Sequence, residues 1–364
     1  NLPTAWARDL LVHGDDLIVA TQGRAIWVLG DLALLRQVKP ETVRRKAALF
    51  TPASAVRVRF NNNKDTPLPP ETPVGENPPD GAVVDYWLGA ASSGPVTLDI
   101  LDSNGALVRH FSSADAPAQV DAERYFQAGW VKPPARLDAS PGQHRWVWNL
   151  RRERPKAVEY SYSIAAIWGR DTPIVPQGAL VVSGRYVVVL KANGSEQRAI
   201  LDVVPDPRVV GAAYAESAAF SRSLEAPMAK AWSGAAELGS LRDSLTALTA
   251  NPSAANVATE AKALAGRLSP PDQPGLDFAG DSGKLASLET AAEDSDSAPT
   301  AAMLRIRDET VASIDRDWAK WTAIRDQGLP ALNRTLVKAG LKPIAIPPPD
   351  ALRIRAPEGG QDLP

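Results

Sequence analysis

The step Pro205-Asp206-Pro207 divides this chain into two parts with different periods. Proline fixes φ and has no N–H, so neither a helix nor a strand ladder runs through such a step. Before it, apolar residues recur at every second position within short segments. After it, Ala, Leu, Glu, Arg and Ser dominate and the apolar period lengthens to that of a helix. The chain is therefore predicted to be multidomain, β first and then α. Its 364 residues suffice for two or three domains.

Within the β part, residues 9–13, 17–21 and 25–29 are rich in Val, Ile and Leu and bounded by turn residues. Gly14-Asp15-Asp16 and Gly23-Arg24 supply the turns. A short helical piece is predicted over residues 31–38, then a half-buried strand over 50–60. In that strand Val56, Val58 and Phe60 alternate with Arg57 and Arg59. Residues 61–80, "NNNKDTPLPPETPVGENPPD", hold six Pro and four Asn and read as a linker. Residues 81–205 then form a second β domain. Its clearest signals are two hairpins that turn at Asn104-Gly105 and Asn193-Gly194. Six or so short strands with intervening turns indicate an immunoglobulin-like β-sandwich. Two long inserts, 113–142 and 151–180, interrupt it.

In residues 206–342, Leu238, Leu241, Leu245 and Leu248 fall on one helical face. Helices are also expected over 254–268 and 284–293. The strongest one starts after Ser297-Ala298-Pro299-Thr300, with a stripe of Leu304, Val311, Ile314, Trp318 and Trp321. Gly328-Leu329-Pro330 is predicted to break it, and a last short helix over 332–339 ends at Gly340. The whole reads as an antiparallel helical hairpin or small bundle. Residues 343–364 read as an extended, partly disordered tail.

Composition narrows the chemistry. A net charge of −2 provides no long-range attraction for nucleic acid or acidic lipid. Arg44-Arg45-Lys46 and Arg151-Arg152 are short basic runs and read as solvated faces. The absence of Cys excludes disulfides, thiolate metal sites and a Cys nucleophile. It fits both cytosol and bacterial periplasm. No apolar run reaches the length of a membrane span. His13, His110 and His144 stand in no metal-ligand spacing, and no GxSxG, P-loop or GxGxxG occurs. The adjacent acids Asp15-Asp16 and Glu293-Asp294-Ser295-Asp296 lie in turn-like sequence, and Asp102-Ser103-Asn104-Gly105 is explained by its hairpin. No catalytic residue, metal or cofactor is predicted. Among ten Trp, Trp87, Trp146 and Trp148 belong to strands, and Trp318 and Trp321 to the bundle. Trp130 and Trp168 lie in the long inserts, where an exposed ring can stack on a sugar or peptide, and are the candidate ligand-binding residues.

The segments "DLLVHGDDLIVATQGRAIWVLGDLALLRQV", "GPVTLDILDSNGALVRHF", "HRWVWNLR", "SGRYVVVLKANG" and "LPALNRTLVKAGLKPI" occur here in that order. In sequence and order they resemble the C-terminal region of bacterial BNR/YVTN-repeat proteins related to the sortilin (VPS10) propeller, often named glycosyl hydrolases. Asp9, Leu10, His13, Asp16, Leu17, Thr21, Gly23, Arg24, Ile26, Trp27, Leu29 and Asp31 fit the last-blade pattern of that family. Gly30 departs from it, as does Ala25, which stands where a second Gly is common. The resemblance implies that residues 1–60 are the remnant of a last propeller blade, in a fragment or the product of a truncated gene. It also implies a periplasmic or extracellular bacterial setting.

Three functions follow as expectations. The first is a non-catalytic structural or interaction region that braces a propeller, with upstream blades in cis or a partner protein. The second is an accessory domain of a glycoside hydrolase or peptidase-like propeller enzyme. The third is binding of a glycan or peptide through Trp130 and Trp168.

Overall fold

The computed structural model describes residues 4–59, 79–116, 136–162, 174–270 and 275–351. Its order is β then α, and it divides into two compact units. The first comprises Asn1–Glu153, Tyr162–Pro173 and Ala179–Tyr214. The second comprises Arg154–Ser161, Ile174–Gly178 and Ala215–Pro364. The segment 154–161 thus clusters with the helices, although in sequence it interrupts the β domain.

The first unit opens with a meander of three antiparallel strands, β1 (Ala7–His13), β2 (Asp16–Thr21) and β3 (Ile26–Leu29), followed by a short helix α1 (Ala33–Gln37). Two further sheets share one core. The smaller has the order β4-β6-β9, from Ala47–Leu49, Ala82–Leu88 and Gly142–Trp148. The larger has the order β5-β13-β12-β7-β8, where β5 is Ala55–Arg57, β7 Thr97–Leu101, β8 Leu107–Ser112, β12 Gly184–Ala192 and β13 Ser195–Pro205. In sequence, β10 (Ser161–Tyr162) and β11 (Ile174–Val175), a two-stranded pair of which all but Tyr162 clusters with the second unit, come between β9 and β12. The hairpin β12–β13 turns on Asn193 and Gly194, both at positive φ, as a two-residue loop requires.

Apolar residues from alternate positions of both sheets fill this core, among them Val84, Tyr86 and Leu88 from β6 and Val188 and Leu190 from β12. Trp148 is wholly buried there; its Nε1 donates to the Arg151 carbonyl at 2.8 Å, and its ring meets Tyr186 edge-on at 5.6 Å. The hydrogen bond is what lets an indole be buried without leaving a donor unmatched.

Two sequence expectations change here. The strands at 47–49 and 55–57, grouped by sequence with the N-terminal blade, pair instead with β6 and β13. The phase of 55–57 is also inverted: Val56 is exposed while Arg57 is buried. Arg57 sits inside with its Nε donating to the Val181 carbonyl at 2.6 Å and its guanidinium over the Tyr214 ring at 4.3 Å.

In the second unit the long helix α2 (Tyr214–Ala250) contributes to two cores. Its first half packs Phe220, Leu224 and Met228 against α4 (Phe278–Ala292) and Ile314 of α5 (Ala301–Ala323). Its second half packs Leu238, Leu241 and Leu245 against α3 (Ala258–Leu268) and α6 (Leu329–Lys338). The Thr300 hydroxyl accepts from the Met303 amide at 3.2 Å and starts α5, as the sequence predicts. The stripe of α5 is narrower than expected: Ile314 and Trp321 are buried, Leu304 is exposed, and Thr310 and Asp317 are buried.

Gly328-Leu329-Pro330 does not break the helix. A π turn over Ile324–Gly328 carries the chain straight into α6, the Leu329 amide donating to the Ile324 carbonyl. Pro330 then falls in the first turn of α6, where a missing N–H is tolerated. The start of the tail is also tied down. Asn333 both donates to the Ile344 carbonyl and accepts from the Ile344 amide, each at 2.8 Å, and Ile344 and Ile346 pack on the core.

Candidate interaction surface

The N-terminal meander carries apolar residues on both faces. Its register aligns Leu10 with Val19 and Trp27, and Val12 with Leu17 and Leu29, across one face. The other face aligns Leu11 with Ile18 and Val28, and Ala20 with Ile26. A sheet with one wet face alternates apolar and polar residues, whereas one covered on both faces does not. Yet most of these side chains are open to solvent, from 49% exposed at Leu29 to 69% at Ile26. Val19 alone of the strand residues is buried. The outer edges of β1 and β3 are unpaired among the described residues. Contiguous apolar surface of this kind marks an interaction site, and open edges offer further N–H and C=O groups to pair.

The turn into β3 is tightly built. Gly23 and Ala25 both take positive φ, and the Thr21 amide donates to the Ala25 carbonyl at 3.2 Å. The Trp27 indole Nε1 donates to the Arg24 carbonyl at 2.7 Å, closing the turn against the strand.

Polar contacts join this meander to the two-sheet core of the same unit. Asp31, at positive φ just after β3, donates its amide to Asp16 Oδ1 at 3.2 Å and accepts from the Ala33 amide. Its other carboxylate oxygen faces Arg145 Nη2 at 3.6 Å. Arg145 in turn holds the buried Asp85 bidentately, at 3.0 and 2.9 Å, and Gln143 adds a bond to Asp85 at 2.9 Å. The hydrogen bonds that Arg145 donates to Asp85 push its pKa further up, so this cation stays charged at any working pH. Gln37 of α1 exchanges two hydrogen bonds with the Thr51 backbone, at 2.9 and 2.8 Å. The ties of Asp31 and Asp85 to Arg145 and of Gln37 to Thr51 were not legible in sequence, because each joins residues distant along the chain.

Of the candidate ligand-binding residues, Trp130 and Trp168 both lie outside the described residues. The histidines are dispersed. His13 is exposed at the end of β1. His110 pairs with Asp99 across β7–β8. His144 bonds the Ser140 carbonyl at 2.8 Å and stacks on Tyr86 at 5.0 Å. Two of the adjacent acids are held by residues distant in sequence: Asp15 pairs with Arg36, and Glu293 accepts from the Ser221 hydroxyl at 2.9 Å. Asp102 Oδ1 accepts from the amides of Asn104 and Ala106, which is the expected hairpin turn. Among the described residues no group of His, Asp or Glu is arranged to hold a metal ion. No described helix is long and apolar enough to cross a membrane.

No family model, curated protein or solved structure matches this chain.

Proposed function

We propose that this chain is the non-catalytic, C-terminal structural and interaction region of a larger propeller protein of the BNR/YVTN, sortilin (VPS10)-like kind. In this reading β1–β3 belong to the last blade, and the two-sheet core is an immunoglobulin-like sandwich that braces it. The observation that carries the reading is the pair of apolar faces on β1–β3. A twofold dimer through one face would leave the other wet. Two apolar faces call for two neighbouring sheets, and a blade between two blades has them. The Asp31–Arg145–Asp85 and Gln37–Thr51 contacts support bracing, since they fix the meander against the core instead of leaving it on a loose tether. A propeller of this kind places the protein in the periplasm or outside the cell.

The test is the native protein in its source cells, detected with an antibody raised to this chain. The expected band runs well above 38.8 kDa, with the β1–β3 amides protected from hydrogen exchange. A band at 38.8 kDa whose β1–β3 amides exchange freely would overturn the proposal.

A further inference from the structure

A second surface of the first unit is distinguished by charge instead of apolar area. A groove of about 390 Å³ opens beside β4, within the size range of small-ligand sites. One wall is Arg44, Arg45 and Lys46, three consecutive exposed cations. The facing wall is Gly89, Ser93 and Asn193, and no carboxylate lines the groove. Other cations of the fold are neutralised by carboxylates, such as Arg145 by Asp85 and Arg208 by Asp206. Arg44, Arg45 and Lys46 have none among the described residues.

The backbone beneath these cations is held in place. The Gly89 amide donates to the Lys46 carbonyl at 3.0 Å. Asn193 Nδ2 stands 3.4 Å from both the Lys46 and Ala90 carbonyls. A Cβ at Gly89 would come within 2.3 Å of the Arg45 carbonyl oxygen, so the close approach of the two strands requires glycine. The Lys46 carbonyl is thus used inward, and all three residues line the groove. Adjacent like charges repel one another, so clustering them without counter-charges costs stability that a bound anion returns. Two guanidinium forks and an ammonium match an oxyanion with more than one charge. No aromatic ring lines the groove, which points to recognition by charge and not by stacking.

We propose that this groove binds a multiply charged oxyanion, of the phosphate-ester or polycarboxylate kind. The inference stands apart from the propeller reading and uses none of the same residues.

Isothermal titration calorimetry on the full chain tests it, with inorganic phosphate and citrate as separate probes at constant ionic strength. Saturable one-site binding in the millimolar range is expected for at least one probe. Preference for phosphate assigns the phosphate-ester source, and preference for citrate the polycarboxylate source. The double variant Arg44→Gln/Arg45→Gln should weaken binding at least about tenfold. Its melting temperature without anion should stay level or rise, because like-charge repulsion is relieved. Gly89→Ala should weaken binding as well by displacing the Arg45 backbone. Absence of saturable binding by either probe overturns the proposal. Undiminished binding by the double variant overturns it too, and means an adventitious ion only.

Discussion

At Ala25 the backbone takes φ +62°, a conformation in which a side chain crowds the following carbonyl. Glycine takes such a φ without that crowding. Ala25→Gly is therefore expected to stabilise the first unit by about 0.5–1 kcal/mol, read as a higher denaturant midpoint with an unchanged slope. A lower midpoint would mean that the turn is not held in this conformation. Asp206, inside the step that divides the two periods, accepts from the Arg208 side chain and amide. These bonds hold its carboxyl down at about 2. A carboxylate with a lowered native pKa contributes stability above its unfolded value near 3.8, and that contribution is lost as pH falls toward 2. Arg208→Met should move the Asp206 titration, followed by carboxyl NMR, upward but not all the way, because the amide bond remains. The inversion at Val56 and Arg57 shows where single-residue reading fails. Alternation tells which residues share a face, and hydropathy then selects the apolar set as the inner one. Here a carbonyl at residue 181, invisible from local sequence, accepts from Arg57 and reverses the choice.

The helices make a sharper contrast between what a sequence states and what packing decides. Gly234 and Gly239 both lie in α2, and helix propensity alone favours Ala at each by about 1 kcal/mol. At Gly239 a Cβ meets nothing within 4 Å, so Gly239→Ala is expected to stabilise by roughly that amount. At Gly234 a Cβ would stand 2.7 Å from the ring of Phe278, which is buried and packed edge-on against Trp318 at 5.8 Å. Gly234→Ala should therefore destabilise by about 1–3 kcal/mol, the cost of overpacking, despite the same propensity gain. Thermal melts of both variants check the pair, and equal shifts would refute the account. Element existence was mostly legible: the Asn-Gly hairpins, the Thr300 cap and the Leu238–Leu241–Leu245 face all carry local signals. The continuous passage through Gly328-Leu329-Pro330 was not, since a π turn leaves no compositional mark. Nor was the membership of 154–161 in the helical unit. It rests on contacts such as the Val158 amide with the Ser282 hydroxyl at 3.0 Å and the Lys156 ammonium over the Trp232 ring at 4.6 Å.

For the molecule as a whole, the meander raises a problem that the rest of the chain does not. Both larger cores bury their apolar residues, while Leu10, Leu11, Val12, Ile26 and Val28 remain open. Strands rich in Val, Ile and Leu were visible in the sequence, but not that the described chain leaves both faces uncovered, because local pattern does not show what packs on it. The proposed propeller setting makes the same substitution act differently in two contexts. Leu11→Thr with Val28→Thr changes one cross-strand row on one face, either side of Ile18. Thr keeps the strand propensity, so in the isolated chain the double variant should melt within about 0.5 kcal/mol of the parent sequence. It should also self-associate less, because the apolar patch is reduced. In the longer protein, where a neighbouring sheet covers that face, the two side chains are buried. There the loss should reach about 3–6 kcal/mol, at about 1.5–3 kcal/mol for each apolar side chain. Denaturant titration followed by hydrogen exchange at β1–β3 in both contexts separates the cases. A small effect in both would mean that no neighbour covers this face. A large effect in the isolated chain would mean that the meander already packs against its own molecule or a second copy.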